Sequence, residues 1–169
     1  MIKQLTHEQV KNEDRRFPLV IVAQDVSDPL NIGALFRLAD ALGVAGLYLC
    51  GQSPRPPHKR ISKTARSTDQ FVPFEYHTST LAAIEKLRAE NYRIIGLEIT
   101  DTSEPIDRFT PDAEHPLALV IGAESQGLHP DTLAVLDAAV HIPMYGRNTS
   151  MNVIQACGIA IYALSRKLL

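Results

Sequence analysis

The sequence predicts an α/β protein with one mostly parallel sheet that is covered by helices on both faces. Apolar runs rich in β-branched residues alternate along the chain with segments whose apolar residues have helical spacing. Most of these runs are apolar throughout, as expected for parallel strands that are buried on both sides. A chain of 169 residues can bury a substantial core within one domain.

The first half of the chain begins with polar residues 1–18, which predict an N-terminal arm or helix ahead of a single domain over residues 19–169. The apolar run at residues 19–25 predicts a buried strand. Residues 31–42 have helical spacing, and the short apolar run at residues 46–51 predicts a second strand.

The second half alternates in the same way. Proline and basic residues dominate residues 52–70, which predict a loop with room for one helical turn. The other predicted elements are an extended piece at 71–76, strands at 92–100, 117–122 and 139–144, and helices at 79–90, 129–138 and from about 150. The closing helix is apolar nearly all round, which favours burial on more than one side. A subunit interface is the preferred second cover, and a central core helix is the alternative.

Composition excludes several functional classes. Seventeen Lys and Arg against nineteen Asp and Glu give a net charge of −2, which excludes a uniformly basic nucleic-acid coat but allows a local basic patch. Two distant cysteines and six scattered histidines predict neither a disulfide framework nor a metal site. The N-terminus lacks an apolar signal region and no run is long enough to span a bilayer, so a cytoplasmic protein without a membrane partner is expected.

Common nucleotide and hydrolase motifs are absent. No GxGxxG follows the first strand, and GAESQGLH lacks the Lys and Ser/Thr that a phosphate-binding P-loop requires. The chain also has no GxSxG and no HExxH.

The first of three remaining motifs is DPLNIGALFR, at a strand-to-helix junction. Asn31, Gly33 and Arg37 lie at the start of the predicted helix. Gly33 allows a close approach by another backbone or a ligand, and Arg37 offers a charged fork to phosphate or carboxylate. An ordinary helix start with a solvated arginine is the alternative.

The second and third motifs follow two later strands. In VIGAESQGL, Glu124 comes after a buried strand, where open α/β sheets bind ligands. In HIPMYGRNTSMN, Ser150 has the features of an N-cap and Asn152 falls in the first helical turn, close to free backbone N–H groups. The alternatives are a surface turn and a capped helix without a ligand.

Together, NxGxxxR, GxExxG and IPMxGxxxSxN, in this order and at strand ends, resemble the SpoU (TrmH-like) family of RNA ribose 2′-O-methyltransferases of the SPOUT class. The resemblance spans about residues 19–165. Residues 63–77 and 92–100 are similar to the branch that methylates guanosine in tRNA. The resemblance implies a C-terminal trefoil knot, which base rates alone would have argued against, and a homodimer.

The resemblance also implies S-adenosylmethionine as cofactor, held in a bent shape by backbone groups. The matching positions are Leu97, Glu98, Gly122, Ile142, Met144 and Met151. Met151 stands where the family usually has leucine, and its similar size suits packing on the adenine.

The implied catalytic residues are Arg37, Asn31, Glu124, Ser150 and Asn152. Because a guanidinium hardly ever deprotonates, we expect Arg37 to hold a phosphate and stabilise the developing alkoxide rather than act as base. Asn31 would fix Arg37 or the ribose, and Glu124 would orient Arg37 or a ligand edge. Ser150 and Asn152 would complete the site.

RNA is the expected partner, and a basic stretch without acids is the expected contact surface. Its members are Arg55, Lys59, Arg60, Lys63 and Arg66. A solvated loop is the alternative. Because the first strand starts by residue 19, we expect no added RNA-binding domain before it, and this expectation favours tRNA over rRNA. A non-catalytic RNA-binding protein and an enzyme for a small phosphorylated metabolite are the rival functions.

Overall fold

The fold is built on one seven-stranded sheet in which every strand pair is parallel. The computed structural model describes residues 1–169. The strands are β1 (Phe17–Gln24), β2 (Val44–Cys50), β3 (Phe74–His77), β4 (Arg93–Leu97), β5 (Glu104–Pro105), β6 (Leu117–Ile121) and β7 (Ala138–His141). Their order across the sheet is β3-β2-β1-β6-β4-β7-β5.

Helices cover both faces of this sheet, as the sequence predicts. They are α1 (Pro29–Ala41), α2 (Lys59–Ala65), α3 (Thr80–Ala89), α4 (Pro130–Leu133) and α5 (Val153–Lys167). Alternate residues of β1 point to opposite faces: Leu19 and Ile21 join a core with α1, α2 and α5, whereas Val20 and Val22 join a core with α3. All five residues of β6 are buried, which is why its sequence is apolar throughout.

The segment predicted as a loop at residues 52–70 contains more helix than expected. It holds α2 and a 3₁₀ turn at Thr68–Gln70. Ile61 and Ala65 are buried in the core that α1 shares, and this packing stabilises a helix too short to form alone. Between β4 and β6, the mostly polar residues 101–115 contain β5, a two-residue strand with no apolar pattern to predict it.

The N-terminal residues 1–16 contain a 3₁₀ turn at His7–Gln9 and no α-helix. The division of the chain into an N-terminal arm and a single domain over residues 19–169 stays a prediction. No helix of the chain has both the length and the apolar character needed to cross a membrane.

The start of α5 corrects one prediction, and its exposed face excludes the alternative to another. Asn152, not Ser150, is the N-cap: its Oδ1 accepts hydrogen bonds from the backbone N–H groups of Ile154 (2.9 Å) and Gln155 (3.3 Å). Within the chain α5 is covered on one side only, because Ile159 and Tyr162 remain exposed opposite its buried residues. A central core helix is thereby excluded.

The strand order places four carboxyl ends side by side at one edge of the sheet. β6 lies between β1 and β4, and β7 lies on the far side of β4. The loops that follow β1, β4, β6 and β7 therefore meet at this edge. The trefoil knot implied by the resemblance stays a prediction.

Candidate functional site

A cleft of about 550 Å³ lies at the carboxyl ends of β4, β6 and β7. The turn at residues 122–128 and the loop at residues 142–151 form much of its wall. All six residues expected to bind a cofactor line this cleft: Leu97, Glu98, Gly122, Ile142, Met144 and Met151. Glu124 and Ser150 line it as well. The structure thus brings together residues that are far apart in the sequence.

The turn after β6 is tight because two glycines and Glu98 form it. A Cβ at Gly122 would overlap the backbone of Gly127 and Leu128, and Gly127 has a positive φ of 65°. The Glu98 carboxylate accepts hydrogen bonds from the backbone N–H groups of Leu128 (3.1 Å) and Ile99 (3.0 Å). Glu98 therefore ties the end of β4 to this turn and fixes one wall of the cleft.

Glu124 joins the three sequence motifs at the edge of the cleft. Its Oε1 accepts a hydrogen bond from the Asn31 Nδ2 group, at the start of α1. The same oxygen lies 3.5 Å from the Asn152 Nδ2 group, at the start of α5. These contacts cross 93 and 28 residues of sequence, so the cluster forms only in the folded chain.

Arg37 lies away from this cluster. It is six residues beyond Asn31, which is about 9 Å along the helix axis and on a different side of α1. The partners of Glu124 are Asn31 and Asn152, so neither Asn31 nor Glu124 contacts Arg37 in this structure. Their other expected roles, at the ribose for Asn31 and at a ligand edge for Glu124, stay predictions. The exposed Arg37 instead lines a second groove, of about 840 Å³, between the N-terminal arm, α1 and α5. Cationic side chains in that groove are Lys11, Arg15, Arg16, Arg37 and Arg166.

Gly33 allows a close approach of backbone, as expected, and the partner is α2 rather than a ligand. A Cβ at Gly33 would overlap the Thr64 hydroxyl and the Ile61 carbonyl oxygen, and would lie 3.0 Å from the Ala65 nitrogen. The Thr64 hydroxyl donates a hydrogen bond to the Leu30 carbonyl oxygen (2.9 Å). This contact fixes α2 against the first turn of α1, next to Asn31.

The basic residues expected to bind RNA are all exposed, and four of the five belong to α2 or its C-cap. Arg60 lies 3.6 Å from the carboxylate of Asp28, the N-cap of α1. Arg55 stacks on the ring of Tyr76 at 4.1 Å. Because α2 is packed on the first turns of α1, this basic surface adjoins the end of the helix that carries Asn31.

The two cysteines are not candidate nucleophiles. Cys50 and Cys157 are free and fully buried. Desolvation by burial raises the pKa of each thiol to about 12, so both are neutral thiols at physiological pH.

Sequence reasoning missed five polar residues that line the cleft, namely Thr100, Ser125, Gln126, His141 and Thr149. Of these, Thr100 and His141 could have been found. Their position just after or at the end of a strand was the available signal, since β4 and β7 end at Leu97 and His141. Neither residue holds a defining position of the three motifs.

A parallel sheet with a ligand-sized cleft at its carboxyl edge defines an α/β protein that binds a small molecule beside the sheet. The chain belongs to the SpoU rRNA Methylase family, which matches residues 18–162. It is 32% identical over 150 residues to the 23S rRNA (guanosine-2'-O-)-methyltransferase RlmB of Vibrio parahaemolyticus, across 89% of this chain and 60% of that protein.

Solved structures have the same fold. The A. aeolicus TrmH/SpoU tRNA modifying enzyme matches with a TM-score of 0.78 and 26% identity, over 92% of this chain and 77% of that one. The AdoMet-bound rRNA methyltransferase from Sinorhizobium meliloti matches with a TM-score of 0.82 and 26% identity, over 89% of this chain and 57% of that one. The chain spans about 60% of the length of the curated relatives it matches.

Proposed function

We propose that this chain transfers a methyl group from S-adenosylmethionine to a ribose 2′-hydroxyl of RNA. The observation that carries the proposal is the cleft, where three distant motifs meet and which all six expected cofactor-binding residues line. Membership of the SpoU family and the AdoMet-bound relative from Sinorhizobium meliloti support the same reading.

The charges of the cleft suit this cofactor. Glu98 and Glu124 are its acidic residues, and no Lys or Arg lines it. S-Adenosylmethionine supplies an electrophilic methyl group on a positively charged sulfur. Leu97, Ile142 and Met151 give apolar surface of the kind that packs on an adenine ring. The same charges disfavour the rival function, because a phosphorylated metabolite would meet two carboxylates and no cation.

The residues at the mouth of the cleft would orient the nucleophile. The 2′-hydroxyl must lose its proton as it attacks, so the site must hold its oxygen in line with the methyl group. We assign the Asn31–Glu124–Asn152 cluster to this positioning, with Ser150 beside it on the cleft wall. Arg37 lines the second groove rather than the cleft, so we assign it to an RNA phosphate, and phosphate or water would take the proton.

The basic surface of α2 gives the RNA a route to the site. Lys59, Lys63 and Arg66 are exposed and have no acidic partner among the salt bridges of the structure. Such cations bind phosphates without regard to sequence. We propose tRNA as the substrate. A second candidate, 23S rRNA, is favoured by the relative from Vibrio parahaemolyticus.

We also propose a cytoplasmic homodimer in which α5 lies at the interface. Ile159 and Tyr162 are 46% and 60% exposed on the uncovered side of α5, and Leu169 extends this apolar surface. Sedimentation equilibrium would give twice the chain mass, and a Tyr162→Glu variant would sediment as the monomer. A monomeric wild-type chain at micromolar concentration would contradict this assembly.

Methyl transfer from labelled S-adenosylmethionine to unmodified tRNA and to 23S rRNA fragments, in parallel, tests the proposal. We expect labelled tRNA with the wild type and with the control Arg108→Ala, a substitution of an exposed arginine outside the site. We expect little label with Arg37→Ala or Glu124→Gln. Label in rRNA alone would keep the reaction and replace the substrate. A wild-type chain that binds no cofactor would overturn the proposal.

A further inference from the structure

His141 is a polar residue of the cleft to which neither the sequence motifs nor the proposed reaction assigns a role. It is the last residue of β7, is half-buried, and lines the cleft together with Thr100 and Ile142. Its Nδ1 lies 2.9 Å from the Ser103 hydroxyl, in the loop after β4. Its Nε2 has no hydrogen-bond or ion-pair partner within the chain.

The contacts of Ser103 orient the His141 ring. The Ser103 hydroxyl accepts a hydrogen bond from the Thr100 backbone N–H (2.9 Å) and lies 3.0 Å from the Thr100 carbonyl oxygen, which the Ser103 backbone N–H also contacts (3.4 Å). A hydroxyl has one proton to donate. When that proton goes to the Thr100 carbonyl oxygen, His141 Nδ1 donates to Ser103 and Nε2 keeps a free lone pair, and this tautomer is part of the proposal.

The two carboxylates of this wall are already engaged. The two oxygens of Glu98 accept the backbone N–H groups of Ile99 and Leu128. Glu124 accepts from the two asparagines. His141 Nε2 is thus an acceptor held in a fixed orientation by its neighbours, without a partner of its own.

We propose that His141 is a cofactor-binding residue whose Nε2 accepts a hydrogen bond from an N–H or O–H group of the cofactor's nucleoside. This inference rests on the proposed function, because it takes S-adenosylmethionine as the ligand of the cleft. A neutral acceptor suits a hydroxyl or amino donor, and Ser103 acts as the positioning residue that fixes the ring.

Two substitutions separate the two ring nitrogens. In His141→Asn, the side-chain amide can replace the Nδ1–H that meets Ser103, but nothing replaces Nε2. In His141→Gln, the longer side chain brings an amide oxygen near the position of Nε2. Isothermal titration with S-adenosylhomocysteine, at one fixed pH, compares both with the wild type.

We expect His141→Asn to weaken S-adenosylhomocysteine binding about tenfold, the effect of losing one hydrogen bond. His141→Gln should recover most of that loss. Thermal melting of the ligand-free variants should change little, which separates lost binding from lost folding. Wild-type affinity in His141→Asn, with methyl transfer intact in the wild type, would overturn the inference and leave the proposed function standing.

Nitrogen-15 NMR of the ring provides a readout that does not depend on the ligand. We expect the Nδ1–H tautomer in the free wild-type protein and a mixture of tautomers in Ser103→Ala. A wild-type ring that is protonated on Nε2 alone would overturn the inference. A wild-type chain that binds no S-adenosylhomocysteine would instead overturn the proposed function, whatever the tautomer.

Discussion

Replacement of Gly33 with alanine tests how closely α2 is packed on α1. In an isolated helix this change would be stabilising by about 1 kcal/mol, because alanine is the better helix former. Here the new methyl group would overlap the Thr64 hydroxyl and also the Ile61 carbonyl oxygen, which belongs to the backbone. The helix α2 would have to shift, since a backbone carbonyl cannot rotate away.

The structure sets the size of the expected effect. Overpacking of this kind costs about 1–3 kcal/mol, and displacing the hydrogen bond from Thr64 to the Leu30 carbonyl oxygen costs about 1 kcal/mol more. After the gain in helix propensity is subtracted, we expect Gly33→Ala to lower the free energy of unfolding by about 1–3 kcal/mol.

Gly158 in α5 is the matched control. A Cβ there would lie 3.3 Å from Leu38 Cδ1, the end of a flexible side chain that can move. We expect Gly158→Ala to leave the free energy of unfolding unchanged or to raise it by up to about 1 kcal/mol. Urea denaturation of both variants measures the difference. A Gly33→Ala variant as stable as Gly158→Ala would refute this account of the interface.

Three further predictions concern the cap of α5, the thiols and the RNA surface. In urea denaturation, Asn152→Ala should lower the free energy of unfolding by about 1 kcal/mol, and Ser150→Ala should leave it unchanged. A loss of stability in Ser150→Ala alone would instead identify Ser150 as the N-cap. Burial raises the pKa of the Cys50 and Cys157 thiols to about 12, so neither should react with Ellman's reagent in the folded protein at neutral pH. Both should react in denaturant. Rapid reaction of the folded protein would contradict their burial. Lys63→Ala should weaken RNA binding at low salt and reduce the slope of log affinity against log salt by about 0.7–0.9, as fluorescence anisotropy would measure; an unchanged slope would remove Lys63 from the contact surface.

The sequence predicted most of the sheet because the strands leave a clear pattern. All of β6 and residues 19–23 of β1 are apolar, since helices cover both faces of these strands. β5 has no such pattern, because Glu104–Pro105 is only two residues long and its pairing with β7 depends on the fold. α2 was underestimated for a similar reason: its formation depends on burial of Ile61 and Ala65 against α1, a contact that local sequence does not encode.

The candidate site, like the fold, could be predicted from the sequence only in part. The six cofactor positions came from a family resemblance, and the structure places all six on the cleft. The pairing inside the site could not be read from spacing. Glu124 meets Asn31 rather than Arg37, because Asn31 and Arg37 lie on different sides of α1. Ser150 and Asn152 are both good capping residues, and only the backbone geometry decides between them.

The measurement that tests the central claim most directly is the chemical position of the transferred methyl group. RNA labelled by the wild-type chain from S-adenosylmethionine would be digested to nucleosides and separated by chromatography with mass detection. We predict that the label occurs in a 2′-O-methylnucleoside. A label carried on a base, or RNA that stays unlabelled although the chain binds S-adenosylmethionine, would contradict the account.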